Sequence, residues 1–128
     1  MPHTYTALVT LLTVVLILWF MMKVGKERGT AIKAPATTGT AEFDRAFRVH
    51  MNTIEQVVMF LPSLWLALPV LGDIYTAAIG GVWLVGRTMF AFAYWKDPDS
   101  RSTGFMISFL ALVALLIPAL YGVVTTLL

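Results

Sequence analysis

The chain contains no cysteine. That excludes a disulfide framework and a cysteine-rich metal site, and a thiol nucleophile, if the chemistry needs one, has to arrive on a ligand. Charge is also scarce: Asp, Glu, Lys and Arg make up 12% of the 128 residues, against 59% hydrophobic residues and a mean hydropathy of +0.82. A water-soluble single domain of this length cannot hide so much apolar surface, whereas lipid can cover it. Glycine is not arranged in a Walker or dinucleotide-binding pattern, and no internal repeat occurs. The net charge of +2 gives no footprint for nucleic acid. His50 has no second histidine at ligand spacing, so no metal is expected.

What is present is apolar sequence in four runs, each near the roughly 20 residues that a helix needs to cross a bilayer. They cover residues 5–22, 49–71, 74–95 and 105–127. The first and fourth carry no Asp, Glu, Lys or Arg, the second carries only Glu55 of these, and the third only Arg87. The expected fold is therefore all-α and integral to the membrane: a four-transmembrane-helix bundle forming one domain over residues 1–128. Pro62, Pro69 and Pro118 predict kinks, not breaks, because neighbouring helices can compensate the lost backbone bond. Arg87 excepted, every Lys and Arg lies within residues 23–48 or at Lys96 and Arg101. The positive-inside rule then places loop 23–48 and the turn after the third run in the cytoplasm, with both termini and the LGD turn at 71–73 on the other side. The first run reads as an anchor, since its basic residues follow it and do not precede it. Residues 26–43 are the only long segment expected to be irregular.

The polar residues at membrane depth are unevenly placed. Arg48, Asn52 and Glu55 fall at i, i+4 and i+7, along one stripe of a helix, and Arg87, Phe90 and Tyr94 form a second stripe at i, i+3 and i+7. Both approach the cytoplasmic ends of their runs, where Arg28 and Arg101 also lie. Ionisable groups at such depth are costly and usually face a protein interior or a water-filled cavity. This set suits a small zwitterionic ligand with several carboxylates. Guanidinium groups take carboxylates in bidentate fashion, Glu55 can accept from an ammonium, and Asn52 can donate or accept. A basic residue beside a ligand thiol would favour its thiolate.

Each residue also has a plainer reading. Arg48 suits a snorkelling anchor, Glu55 and Arg87 an interhelical ion pair, and Tyr94 with Trp95 an interfacial aromatic belt. Asp44 and Arg45 suit a helix start, and Lys96, Asp97 and Asp99 a solvated turn. Trp83, Phe92 and Phe109 suit either lipid contact or the wall of an apolar cleft. These readings account for residues one at a time, and the concentration on two stripes is what they leave over.

The segments TTGTAEFDRAFRVHMNTIEQVVMFLPSLW (37–65) and VWLVGRTMFAFAYWKDPDSR (82–101) resemble the membrane-associated proteins in eicosanoid and glutathione metabolism, the MAPEG family. That family includes leukotriene-C synthase, the microsomal glutathione transferases and the lipoxygenase-activating protein. The shared motif is an acidic-Phe-x-Arg start followed by Arg-x-x-x-Asn-x-x-Glu, and the likeness extends over nearly the whole chain. It implies a homotrimer with glutathione, as co-substrate, bound between neighbouring subunits near the cytosolic face. It assigns Arg48, Asn52, Glu55 and Tyr94 to glutathione binding, with His50 and Arg28 beside them, and Arg101 to stabilising the thiolate. The implied activity is conjugation of glutathione to lipophilic electrophiles arriving from membrane lipid, with reduction of lipid hydroperoxides by the same thiolate. A bacterial source would place the chain in the inner membrane.

Three positions depart from the pattern. Gln56 and Phe90 stand where glutathione-binding members have tyrosines, and Glu27 replaces an arginine beside Arg28; these changes are expected to weaken glutathione binding or alter its pose. Two other functions fit in outline. One is a non-catalytic lipid-binding scaffold of the same family, which the retention of Arg101 and the Arg48 stripe disfavours. The other is a small four-helix proton-coupled drug exporter, disfavoured because the first run has no acid and the charge bias is one-sided.

Overall fold

A computed structural model describes residues 1–128 as four long helices and one short 3-10 turn. The helices are α1 (Thr4–Arg28), α2 (Ala41–Leu71), α3 (Asp73–Lys96) and α4 (Ser102–Leu127), with the 3-10 turn at Pro98–Ser100. All four are long and apolar enough to cross a membrane. The helices α2 and α4 continue through Pro62, Pro69 and Pro118 without a break.

The helix ends correct the expected irregular segment. Residues 26–28 continue α1, and α2 begins at Ala41, so only residues 29–40 are irregular instead of 26–43. Loop 23–48 is likewise mostly helical at both its ends. Hydropathy marks where lipid begins, but caps decide where a helix stops. At the start of α2 the Thr40 side chain accepts from the Phe43 N–H at 3.1 Å, with Glu42 and Asp44 in the first turn. Between α2 and α3 the turn is almost absent. Gly72 takes a φ of 83°, a value that side chains with a Cβ rarely adopt, and its N–H bonds back to Leu68.

The next residue, Asp73, joins distant parts of the chain. Its carboxylate accepts the N–H groups of Tyr5 (3.1 Å) and Thr6 (2.9 Å), two of the donors that the first turn of α1 leaves without partners. Asp73→Ala is expected to speed amide exchange at Tyr5 and Thr6 and to lower the apparent melting temperature in detergent. Unchanged exchange at those two amides would show that Asp73 does not hold α1.

The bundle is arranged around α2 and α3, each of which packs on α1 and on α4. Phe20, Phe60, Leu64, Trp83 and Leu115 are fully buried between the helices. The outward faces carry exposed Leu, Val, Ile and Phe along all four helices, the surface that lipid covers. Phe92 and Phe109 are among these exposed side chains. Trp83 is not: it stacks on Phe60 at 3.9 Å and lines neither lipid nor a cleft.

At the α3–α4 crossing the two backbones come into direct contact. A Cβ on Gly104 would overlap the backbone of Phe90 and of Gly86, and one on Gly86 would come within 2.6 Å of the Ser108 backbone nitrogen. Small residues at a membrane helix crossing allow this approach. It brings the start of α4, with Arg101 just before it, alongside the second half of α3.

Candidate functional site

The polar stripe of α2, the last turns of α3, the 3-10 turn and the first turn of α4 surround a cleft of about 930 Å³ at the basic end of the bundle. Several local devices shape it. Asp44 accepts from Thr38 Oγ1 (3.0 Å) and from the Gly39 N–H (2.9 Å), which folds the loop so that Thr37 reaches the cleft. Arg45 Nη1 donates to the carbonyls of Trp95 (3.3 Å) and Lys96 (3.2 Å). A cation is well placed at those unpaired carbonyls of a helix C-terminus, and it ties the start of α2 to the end of α3 beside Tyr94. Beyond α3, Asp97 caps the 3-10 turn by accepting from the Asp99 N–H at 3.1 Å.

The α2 stripe meets two of the three α3 stripe residues across the cleft, while the third, Arg87, is buried away from it. Arg48, Asn52 and Glu55 line it from α2, Phe90 and Tyr94 from α3, and Arg101 from the junction with α4. Arg101 donates from Nη1 to the Pro98 carbonyl at 2.7 Å, and its guanidinium lies 6.0 Å from the Tyr94 ring centre. Spacing alone had not singled out Thr37, Phe47, Met51, Asp99, Ser102 and Phe105, which also line it. Phe47 and Met51 follow the helical repeat around Arg48, and Phe105 lies one turn beyond Arg101, so the same periodicity carried on would have found them. Asp99 was read as part of a solvated turn, and only the fold shows that this turn closes over the cleft.

The charges here have no oppositely charged partner within the chain. Arg48, Glu55, Asp99 and Arg101 form no ion pair, and the chain's single salt bridge is Lys23–Glu27 at 3.0 Å, away from the cleft. The anticipated Glu55–Arg87 pair does not form. Arg87 is fully buried and donates from Nη2 to Asn52 Oδ1 (2.7 Å) and Thr53 Oγ1 (3.0 Å), while Glu55 is exposed at the cleft. Arg87 and Glu55 point differently because Arg87 lies beneath Phe90, whose ring its guanidinium covers at 4.2 Å.

Arg28 and His50 do not line this cleft. The Arg28 guanidinium packs over the Phe43 ring at 4.7 Å, on the loop side of α2. His50 follows Arg48 by two positions, which turns it about 200° around the helix axis. Gln56 is also turned inward: it is buried, and its Oε1 accepts from Trp83 Nε1 at 3.0 Å. The amide, at the position where the family likeness implies a tyrosine, thus serves the core. Glu27, at a position where the family likeness implies an arginine, is held by Lys23. Trp95 departs from a simple interfacial belt: its ring packs edge-on to Trp19 (5.7 Å) and Phe20 (5.8 Å) and its Nε1 is buried, whereas its neighbour Tyr94 enters the cleft.

Four membrane-length helices define a multi-pass integral membrane protein, with a polar cleft cut into one end of its bundle. The chain belongs to the MAPEG family, whose sequence profile matches residues 6–121. It is 37% identical over 120 residues to an uncharacterized protein of Synechocystis sp., covering 93% of this chain and 88% of that one. It is 34% identical over 99 residues to microsomal glutathione S-transferase 2 of Homo sapiens, covering 77% and 67% of the two chains. With leukotriene C4 synthase of Cavia porcellus the identity is 33% over 117 residues, covering 91% and 78%.

Proposed function

We propose that the chain is a membrane-bound glutathione transferase acting on lipophilic electrophiles. One observation carries the reading: guanidinium and carboxylate groups, unpaired with one another, line a single cleft together with Asn52 and Tyr94, beside exposed apolar surface. Unpaired charges of both signs at membrane depth are expensive unless a ligand of complementary charge occupies them. Glutathione has two carboxylates, one ammonium and a thiol, and the relatives named for glutathione transfer share this chain's framework.

In this reading Arg48, Asn52, Glu55 and Tyr94 hold glutathione, with Glu55 taking the ammonium. Arg101 stabilises the thiolate. The sulfur attacks the electrophilic carbon of a substrate entering from lipid, forming a C–S bond as the leaving group departs. The same thiolate would serve reduction of a lipid hydroperoxide, with a second glutathione supplying the other half of the disulfide product. Arg28 and His50 reach glutathione only from a neighbouring copy, which is how the trimer implied by the family likeness would use them. The positive-inside rule puts this cleft toward the cytoplasm.

The test is direct. Purified protein in detergent is expected to bind glutathione and to form its conjugate with a chlorinated nitrobenzene, releasing chloride. Absence of both binding and conjugation would remove the transferase reading, and efflux driven by a pH gradient and dependent on Glu55 would replace it with the exporter.

A further inference from the structure

Arg87 has no exposed surface, and no carboxylate answers its charge. Its Nε and Nη1 are buried without partners. Its side-chain hydrogen bonds both leave from Nη2 and both end on α2, at Asn52 Oδ1 (2.7 Å) and Thr53 Oγ1 (3.0 Å). As a means of joining α2 to α3 this is a poor arrangement, because an apolar side chain of similar volume would pack there without the cost of desolvating a charge. What a guanidinium does uniquely is dictate which atom faces it.

Arginine carries five N–H donors and no acceptor. The Asn52 atom turned toward Arg87 therefore has to be the oxygen, held at the short distance of a charge-assisted bond. Flipping the amide would set its NH2 group against the guanidinium, so that orientation is closed. Asn52 lines the cleft, and an amide pinned by its oxygen presents its two N–H groups to whatever binds. The ring of Phe90, which lies over the guanidinium and also lines the cleft, places an apolar cover between Arg87 and the ligand space.

We infer that Arg87 is a positioning residue: it fixes the Asn52 side chain as a donor and so selects an acceptor, a carboxylate or peptide carbonyl oxygen of the ligand, at that point of the cleft. The inference rests on the reading of the cleft as a glutathione site. It asks for no contact between Arg87 and the ligand.

The experiment compares wild type with Arg87→Gln and Asn52→Asp. Each is titrated with glutathione by calorimetry, assayed for KM and kcat with a chlorinated nitrobenzene, and melted in detergent. Arg87→Gln frees the Asn52 amide to turn either way. The glutathione Kd and KM are expected to rise about tenfold, the scale of one well-placed hydrogen bond. Its kcat should change less than about twofold, and its melting temperature should hold or rise because a buried unpaired charge has gone. Asn52→Asp places a carboxylate against Arg87, so this variant should fold at least as stably as wild type. It offers an acceptor where the donors were, and affinity is expected to fall by about a hundredfold.

Wild-type affinity in either variant overturns the assignment. So does a joint loss of melting temperature, kcat and affinity in Arg87→Gln, the pattern of a residue that only supports the fold. A wild-type protein that binds no glutathione overturns the reading of the cleft and this assignment with it, whereas binding by wild type with unaffected variants overturns the assignment alone.

Discussion

Arg101→Ala is expected to lower kcat for glutathione conjugation by roughly 10²–10³-fold, the usual loss when one preorganised group at a developing or reacting anion is removed. Arg101 lies at the α3–α4 junction, where Nη1 is held by the Pro98 carbonyl at 2.7 Å and the guanidinium borders the cleft beside Tyr94. A fixed cation beside a thiol favours the thiolate and lowers the thiol pKa. Removing it raises that pKa, so the pH–rate profile of the variant should move to higher pH and part of the lost rate should return in alkaline buffer. The thiolate absorbance expected when wild type binds glutathione near neutral pH should be missing from the variant. The effect on glutathione affinity should be smaller, because Arg48, Asn52 and Glu55 remain. If kcat and the pH profile both stay where they are in wild type, Arg101 has no part in the chemistry and another group in the cleft stabilises the thiolate.

The second large effect is expected at Gly104, which touches no ligand. In an unconstrained helix Gly→Ala should stabilise by about 1 kcal/mol. Here the added methyl meets the backbone of Phe90 and Gly86, which cannot rotate aside as a side chain can. Separating the two helices is expected to cost about 1–3 kcal/mol, enough to reverse the sign, and Gly104→Val should cost more. The displacement also carries Arg101 and Phe105 away from Tyr94 and Phe90, so kcat should fall along with the melting temperature. Gly86→Ala strains the same crossing, and because the two glycines face each other the double variant should cost less than the sum of the singles. A Gly104→Ala protein that melts at or above the wild-type temperature would contradict the close approach.

Much of the site was legible because helical periodicity is a local property. Arg48, Asn52 and Glu55 share a face on any straight helix, whatever packs against it. The same holds for Phe90 and Tyr94, and all five line the cleft. Where two helices had to be combined, local reasoning reached less far. Opposite charges in adjacent spans suggested a Glu55–Arg87 pair, yet which polar group lies opposite Arg87 depends on the rotation and depth of α2 against α3. That rotation sets Asn52 and Thr53 before it and leaves Glu55 to the cleft. Gln56 was read as a missing phenol in the ligand wall, and only the packing shows that its amide meets Trp83 in the core. Arg45 and Asp99 carried no pattern beyond a helix start and a turn, because their partners lie in parts of the chain or a cleft that no spacing connects.

By itself the sequence determined the class of solvent, the number of spans and the face of α2 that bears charge. Those follow from length, hydropathy and a fixed angular step per residue, which need no knowledge of neighbours. The tertiary structure alone decided which charges go unpaired, which amide is pinned and which glycines carry the crossing. These depend on distances of a few ångströms between residues tens of positions apart, and a hydrogen bond or a steric overlap exists only once helix rotation and separation are set.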